Sequence, residues 1–224
     1  MEEDLMQVLI LCGGLGKRLK PITDETPKPL LKVLGKPVIE YQLDFFKRLG
    51  IDDIILCTGY KSDMFKKMYP DLKHSVEDKP LGTAGAIKNA EKFIDDDFIV
   101  TNGDNIFMFN FQKMLQMFKD TKDPILALTQ PVSPYGVIEV EGDRVIDFRE
   151  KPILNFWINA GITIFPKDSL KYFPEEGMIE YDVYPKLVKE KKLLSFKFRE
   201  GTFWLAIDTT KDIENAEKKL LNRE

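Results

Sequence analysis

A chain of 224 residues, 43% of them hydrophobic, is long enough to bury a substantial core as one domain. Its formal net charge of −4 argues against a protein built to grip nucleic acid or an anionic membrane, because such surfaces need a large positive excess. No apolar run reaches bilayer-spanning length, and the acidic start Met1-Glu2-Glu3-Asp4 lacks the basic region of a secretory signal, so a cytoplasmic location is expected.

Short apolar runs alternate with helical patterns through the first half, the signature of βα repeats around a mostly parallel sheet. Strands are expected at residues 7–12, 53–57, 98–101 and 124–129. Cys12 and Cys57 close two of these runs, and two buried thiols predict neither a disulfide framework nor a zinc site. Between the first two strands, Val38, Tyr41, Leu43, Phe45, Phe46 and Leu49 give residues 37–49 the pattern of a helix with one buried face. The single histidine, His74, stands in a polar stretch without Cys or His partners and reads as a surface residue outside metal or triad chemistry. Residues 83–93 predict a second helix. In the second half, residues 136–140 and 144–149 predict a hairpin around Glu141-Gly142-Asp143, followed by a strand at 160–165. A last helix is expected at 210–221, where Ile213, Ala216, Glu217 and Leu220 recur at helical spacing. The expected fold is α/β and Rossmann-like: a mixed, mostly parallel sheet flanked by helices, with a small β-rich subregion. One domain is expected over 1–224, its two parts at about 1–130 and about 131–224, with no domain appended after the last helix.

The first strand runs into Gly13-Gly14-Leu15-Gly16-Lys17-Arg18-Leu19. Glycines let the backbone turn sharply and bring its N–H groups against phosphate oxygens, and an arginine can clamp two oxygens at once. The spacing is neither the dinucleotide fingerprint nor the Walker loop, and on its own such a turn can be an ordinary tight turn. Ten residues after Arg18 comes Lys28, in Thr26-Pro27-Lys28-Pro29-Leu30, where two prolines predict an extended, stiffened backbone that fixes the direction of the lysine. Together the glycine turn, the arginine and the preorganised lysine describe a polyphosphate cradle. The strand at 98–101 leads to Gly103-Asp104-Asn105, at a carboxyl end where open α/β sheets place ligand crevices. A carboxylate there suits Mg²⁺, although Gly-Asp-Asn is also good turn chemistry.

With Leu81-Gly82-Thr83-Ala84-Gly85-Ala86, Tyr135-Gly136, Glu150-Lys151-Pro152 and Trp157-Ile158-Asn159-Ala160-Gly161, these motifs resemble the sugar-phosphate nucleotidyltransferases over nearly the whole chain. The resemblance is to the mannose-1-phosphate guanylyltransferases and the glucose-1-phosphate nucleotidyltransferases. Lys17 departs from the Thr or Ser common at that position. The resemblance implies a Mg²⁺-dependent enzyme that joins a nucleoside triphosphate and a sugar 1-phosphate, releasing pyrophosphate. It implies no nucleic-acid or membrane partner and leaves a homo-oligomer open. Arg18, Lys28 and Asp104 are then the catalytic residues, with Gly13, Gly14, Gly16, Lys17, Glu77, Gly82 and Thr83 on the nucleotide. Gly136, Glu150, Lys151, Asn159 and Gly161 take the sugar phosphate, so the first part of the domain holds nucleotide and the second holds sugar.

The Glu77 carboxylate can accept from both the ring N–H and the amino group of guanine, which makes guanylyl transfer to mannose 1-phosphate or a related sugar phosphate the leading expectation. Cytidylyl, thymidylyl or uridylyl transfer to glucose 1-phosphate or an amino-sugar phosphate is the alternative. A non-catalytic nucleotide-sugar sensor on the same fold is another. The largest departure lies in Phe203-Trp204-Leu205-Ala206-Ile207-Asp208-Thr209, where Ala206 stands at the family's second metal carboxylate. Asp208, two residues on and on the same strand face, is the expected replacement alongside Asp104. The competing reading makes Asp208 the cap of the helix that follows.

Overall fold

The computed structural model describes residues 6–198 and 202–222. In chain order its first elements are β1 (Gln7–Leu11), α1 (Ile22–Glu25), β2 (Lys32–Val33), β3 (Lys36–Pro37), α2 (Val38–Arg48), β4 (Ile54–Thr58) and α3 (Ser62–Met68). Then come β5 (Lys73–Val76), α4 (Gly82–Asn89), β6 (Phe98–Asn102), β7 (Asn105–Met108), α5 (Phe111–Thr121) and β8 (Ile125–Thr129). The rest is β9 (Val137–Glu141), β10 (Arg144–Arg149), β11 (Ile158–Phe165), α6 (Tyr184–Lys189), β12 (Leu194–Lys197), β13 (Phe203–Ala206) and α7 (Thr210–Leu221).

Seven strands form one sheet in the order β12-β8-β11-β6-β1-β4-β5. The pairs β6–β1, β1–β4, β4–β5 and β12–β8 are parallel, whereas β11 runs antiparallel to both its neighbours. At the centre, β1 is a continuous apolar run whose Val8, Leu9 and Ile10 are buried, as a strand covered on both faces requires. One face packs under Ile39 and Phe46 of α2, Phe65 of α3, and Met114 and Phe118 of α5. The other face packs under Ala84 and Ile87 of α4 and Leu187 of α6. A third cluster joins Val38, Ile106, Phe203, Ile207 and Ala216, tying α7 and the β13–β7 ribbon to the body.

Register decides where chemistry collects. Leu11 of β1 lies opposite Asn102 of β6 on one side and Cys57 of β4 on the other, so three parallel strands end together on one rim. The segments that leave this rim carry the glycine turn, Gly59-Tyr60 and Gly103-Asp104. The ribbon then sets Ala206 opposite Asn105, and the Ile207 N–H donates to the Asp104 carbonyl at 2.9 Å. Residues 204 to 208 are thereby delivered to the same rim from the far end of the sequence.

The expected strands and helices stand where the apolar patterns put them, with two revisions. The helix expected through residue 93 ends at Asn89, and a 3-10 turn at Glu91–Phe93 completes the segment. His74 is not a surface residue: it belongs to edge strand β5, half-buried, with Nε2 2.9 Å from the Tyr69 carbonyl and Nδ1 buried without a partner. The polar look of Lys73–Val76 conceals the strand because, among the described residues, only one of its edges pairs, with β4.

Candidate active site

The rim opens into a cavity of about 950 Å³ lined from Leu11 to Leu19, by Lys28, Gly59, Glu77 and Gly82, and by Asn102, Asp104, Met178 and Asp208. The glycine turn forms its floor. Gly16 takes φ +58°, and a Cβ there would come within 2.8 Å of the Thr23 methyl, so the turn closes only with glycine. The chain then passes through a 3-10 turn, Lys17–Leu19, which buries Leu19 and leaves Arg18 largely exposed over the opening.

Lys28 does not have the extended backbone that two prolines suggest. Residues Lys28–Leu30 form a 3-10 turn, with the Leu30 N–H on the Pro27 carbonyl (2.9 Å) and the Leu31 N–H on the Lys28 carbonyl (3.1 Å). Pro29 fits because its fixed φ suits the second position of a helical turn, where no amide hydrogen bond is lost. The turn sends the Lys28 side chain inward. Its Nζ lies 2.5 Å from Asp104 Oδ2 and 2.6 Å from Asp208 Oδ1, and Arg18 Nη1 is 3.2 Å from Asp208 Oδ2. Two cations and two carboxylates thus form one continuous network, with Lys28 only 12% exposed at its centre.

Asp208 does not cap α7. Thr209 is the N-cap, its hydroxyl accepting from the Asp212 N–H while the Asp212 carboxylate accepts from the Thr209 N–H, a reciprocal capping box. The Asp208 N–H joins this cap at 3.1 Å from Asp212 Oδ2, and the Asp208 side chain is left to face Lys28. Among the described residues no group of three or more His, Cys, Asp or Glu is arranged to hold a metal. Two carboxylates converging on one cation nonetheless fit a hard divalent ion, which commonly takes one or two protein carboxylates and completes its shell with phosphates and water.

Glu77, directly after β5, lines the same cavity. A Cβ at either Gly13 or Gly59 would come within 2.7 Å of its Oε1, so both glycines make room for this carboxylate. Its Oε2 accepts from the Leu81 N–H at 3.2 Å. Burial raises the Glu77 pKa, and that hydrogen bond offsets part of the rise. Gly82 lines the cavity at φ +77°, and a Cβ there would stand 2.3 Å from the Gly177 carbonyl oxygen, which accepts from the Ala84 N–H (3.0 Å). Gly82→Ala is therefore expected to destabilise the fold by about 1–3 kcal/mol. Chemical denaturation checks this; an unchanged midpoint would show that the Gly177 segment yields freely. Thr83 also borders the cavity, but its hydroxyl is committed within the protein, accepting from the Ile179 N–H (2.8 Å) and donating to Glu180 (3.1 Å). Cys12 and Cys57 are buried, which holds both thiols protonated and pushes the Cys57 pKa up to about 12, so neither acts as a nucleophile.

The expected sugar residues are not brought to this cavity: none of Gly136, Glu150, Lys151, Asn159 and Gly161 lines it. The first three sit at the base of the β9–β10 hairpin. There the Phe148 ring fills the space beside Gly136, since a Cβ on that glycine would lie 2.7 Å from the ring, and Lys151 Nζ stands 3.6 Å from Glu150. The other two lie on a bulge in β11, where the register slips between Asn159 and Thr163 and the Gly161 N–H donates to Asn159 Oδ1 (2.7 Å). Gly161, at φ +71°, makes room for the amides of Asn102 and Asn105, which a Cβ would meet at 2.7 and 2.5 Å. The bulge thus abuts the cavity rim through Asn102.

Sequence reasoning missed the braces around this centre. Tyr60 donates to the Thr23 and Asp24 carbonyls (3.2 and 3.3 Å), and Lys61 to those of Asp24 and Glu25 (2.6 and 2.8 Å), pinning the loop between Arg18 and Lys28. Gly59, two residues after the strand expected at 53–57, was the available signal. Buried Gln42 on α2 gave no signal, since one polar residue among apolar ones reads as the helix's wet face.

Comparison with known proteins gives the family. The chain is 32% identical over 231 residues to a D-glycero-alpha-D-manno-heptose 1-phosphate guanylyltransferase of Aneurinibacillus thermoaerophilus, covering 96% of this chain and 98% of that one. It is 34% identical to a mannose-1-phosphate guanyltransferase of Hypocrea jecorina, with 92% of this chain matching 62% of that longer protein. A crystal structure of HddC from Yersinia pseudotuberculosis, complexed with GMP-PN, superposes with a TM-score of 0.75 at 29% identity, covering 96% of this chain and 99% of that one. The nucleotidyl transferase family model matches residues 7–223, and the chain belongs to that family.

Proposed function

We propose that this enzyme transfers a guanylyl group from GTP to the phosphate of a manno-configured sugar 1-phosphate, a heptose or mannose, and releases pyrophosphate. The observation that carries the proposal is the Arg18–Asp208–Lys28–Asp104 network beside the glycine turn, with the Glu77 carboxylate lining the same cavity. The triphosphate rests on the N–H groups of residues 13–16, and Arg18 and Lys28 neutralise its charge. An oxygen of the sugar phosphate attacks the α-phosphorus in line; that P–O bond forms as the bond to the bridging α–β oxygen breaks, and the pyrophosphate leaves carrying the charge. The attacking oxygen is already ionised, so no side chain needs to remove a proton and the protein's work is alignment and charge neutralisation. Asp104 and Asp208 would hold Mg²⁺, which supplies further neutralisation at the transferring phosphate. The names of the relatives support the guanine and manno assignments.

The test is pyrophosphate release measured over the four nucleoside triphosphates against mannose, heptose and glucose 1-phosphates, with and without Mg²⁺. A higher kcat/KM for another nucleotide with every sugar would sink the guanine reading.

Glu77→Gln refines it. An amide presents one acceptor where guanine offers two adjacent donors, so kcat/KM for GTP should fall by about 10–100-fold while other nucleotides change little. The same variant has a stability signature. Because burial raises the folded-state pKa of Glu77, the charged form costs the fold more than the unfolded chain, and the parent loses stability as pH rises through that raised pKa. The Gln variant should match the parent in melting temperature below the ordinary carboxylate range and exceed it at neutral pH. A GTP preference unchanged by the substitution would assign base reading to backbone groups near Gly82.

A further inference from the structure

We infer that Gln42 is a positioning residue for Asp104, an inference that rests on the nucleotidyl-transfer reading. Gln42 projects from α2 and is buried to 1% exposure. Its Nε2 donates to the Asn102 carbonyl at 2.8 Å and to the Asn105 carbonyl at 2.7 Å. Only the amide NH₂ end suits two carbonyl acceptors, so the orientation of the side chain follows from its partners. Those carbonyls belong to the last residue of β6 and the first of β7 and bracket Gly103-Asp104 on both sides. One planar amide with two fixed donors therefore sets the separation and tilt of the turn that presents the Asp104 carboxylate. Gln42 Oε1 is buried without a hydrogen-bond partner, which is costly and is tolerated where the other end of the amide is needed.

The clamp has reach beyond the turn. The Asn105 side chain donates to the Ala160 carbonyl at 3.0 Å, and Trp204 Nε1 donates to the same oxygen at 2.8 Å. Trp204 lies on β13, whose next residues carry Asp208. Gln42 thus ties α2, through the Asp104 turn, to the β11 bulge and to the strand that leads to the second carboxylate.

Gln42→Met keeps the unbranched shape and removes both donors. We expect hydrogen–deuterium exchange at residues 103–106 to quicken at least tenfold while β1 and β4 stay protected. We also expect the dissociation constant for Mn²⁺, read by electron paramagnetic resonance with GTP present, to rise about tenfold. In turnover kcat should fall about 10–100-fold, with KM for GTP changed less than threefold. Unchanged exchange at 103–106 overturns the clamp. Quickened exchange with unchanged Mn²⁺ affinity and kcat makes Gln42 structural only and overturns the positioning role. If the parent turns over no triphosphate and sugar phosphate pair, the reaction reading fails, and the exchange and Mn²⁺ arms still decide for or against Gln42. Gln42→Glu, of the same shape with at most one O–H donor, carries the same measurements should the methionine variant not fold.

Discussion

Lys28→Met is expected to lower kcat by about 10²–10³-fold while moving KM for the triphosphate only a few-fold. The ammonium is the most enclosed charge of the central network, between two carboxylates at 2.5 and 2.6 Å, whereas Arg18 is 74% exposed. A group so enclosed is held in place before substrate arrives, so its charge needs little reorganisation when negative charge builds on the transferring phosphate. Arg18, freer at the mouth, is the group whose loss should raise KM. The Lys28 variant carries a second signature. Without the ammonium, Asp104 loses the cation beside it and Asp208 keeps only the exposed Arg18, so the protein should melt lower than the parent in EDTA and regain more of its stability than the parent when Mg²⁺ is added. Steady-state kinetics and thermal melts with and without Mg²⁺ check both. A pure KM effect would move Lys28 into ground-state binding, and a melt insensitive to Mg²⁺ would argue against a cation between these carboxylates.

The parts of this centre that were legible in the sequence are those set by local rules. An apolar run followed by Gly13-Gly14-Leu15-Gly16 fixes both a strand and its turn, and Gly103-Asp104 after the run ending at Thr101 places a carboxylate at a strand's carboxyl end. The Thr209-to-Asp212 spacing is likewise a readable cap, although Asp208 beside it competes for that role on sequence alone. Pairings that join distant segments were not legible. Strand β13 meets β7 across about a hundred residues, so the convergence of Asp208 on Lys28 depends on a ladder that no local pattern specifies. Helix α5 is a different omission: Phe111, Met114 and Phe118 recur at helical spacing behind the Asn110 cap, so the pattern was there to be read. The Lys28 turn fails for a third reason, since Pro-X-Pro restricts the backbone to a few states and tertiary contacts choose among them.

Asp208→Ala is expected to cut Mg²⁺-dependent turnover by about 10²-fold or more while leaving the melting temperature near the parent's. The two halves of that expectation come from different atoms. The carboxylate of Asp208 meets Lys28 and Arg18, so its loss removes half of the candidate cation-binding pair and one arm of the network. The helix start is secured by Thr209 and Asp212, and from Asp208 it takes only the backbone N–H, which alanine retains. Thr209→Ala should show the inverse, losing about 1 kcal/mol of stability with turnover little changed. The double variant Asp208→Ala with Ala206→Asp then asks whether the position matters or only the charge. Ala206 is the last residue of β13, two residues before Asp208, and lies opposite Asn105 at the base of the Asp104 turn. A carboxylate there stands beside the Asp104 turn, so turnover should recover in part, with a higher Mg²⁺ concentration needed for half-maximal rate because Lys28 and Arg18 are now arranged around an empty position. Recovery to the parent rate would mean that the two sites are equivalent. A fully active Asp208→Ala enzyme would leave Asp104 as the sole protein carboxylate for the cation and reduce the Lys28–Asp208 contact to a resting-state ion pair.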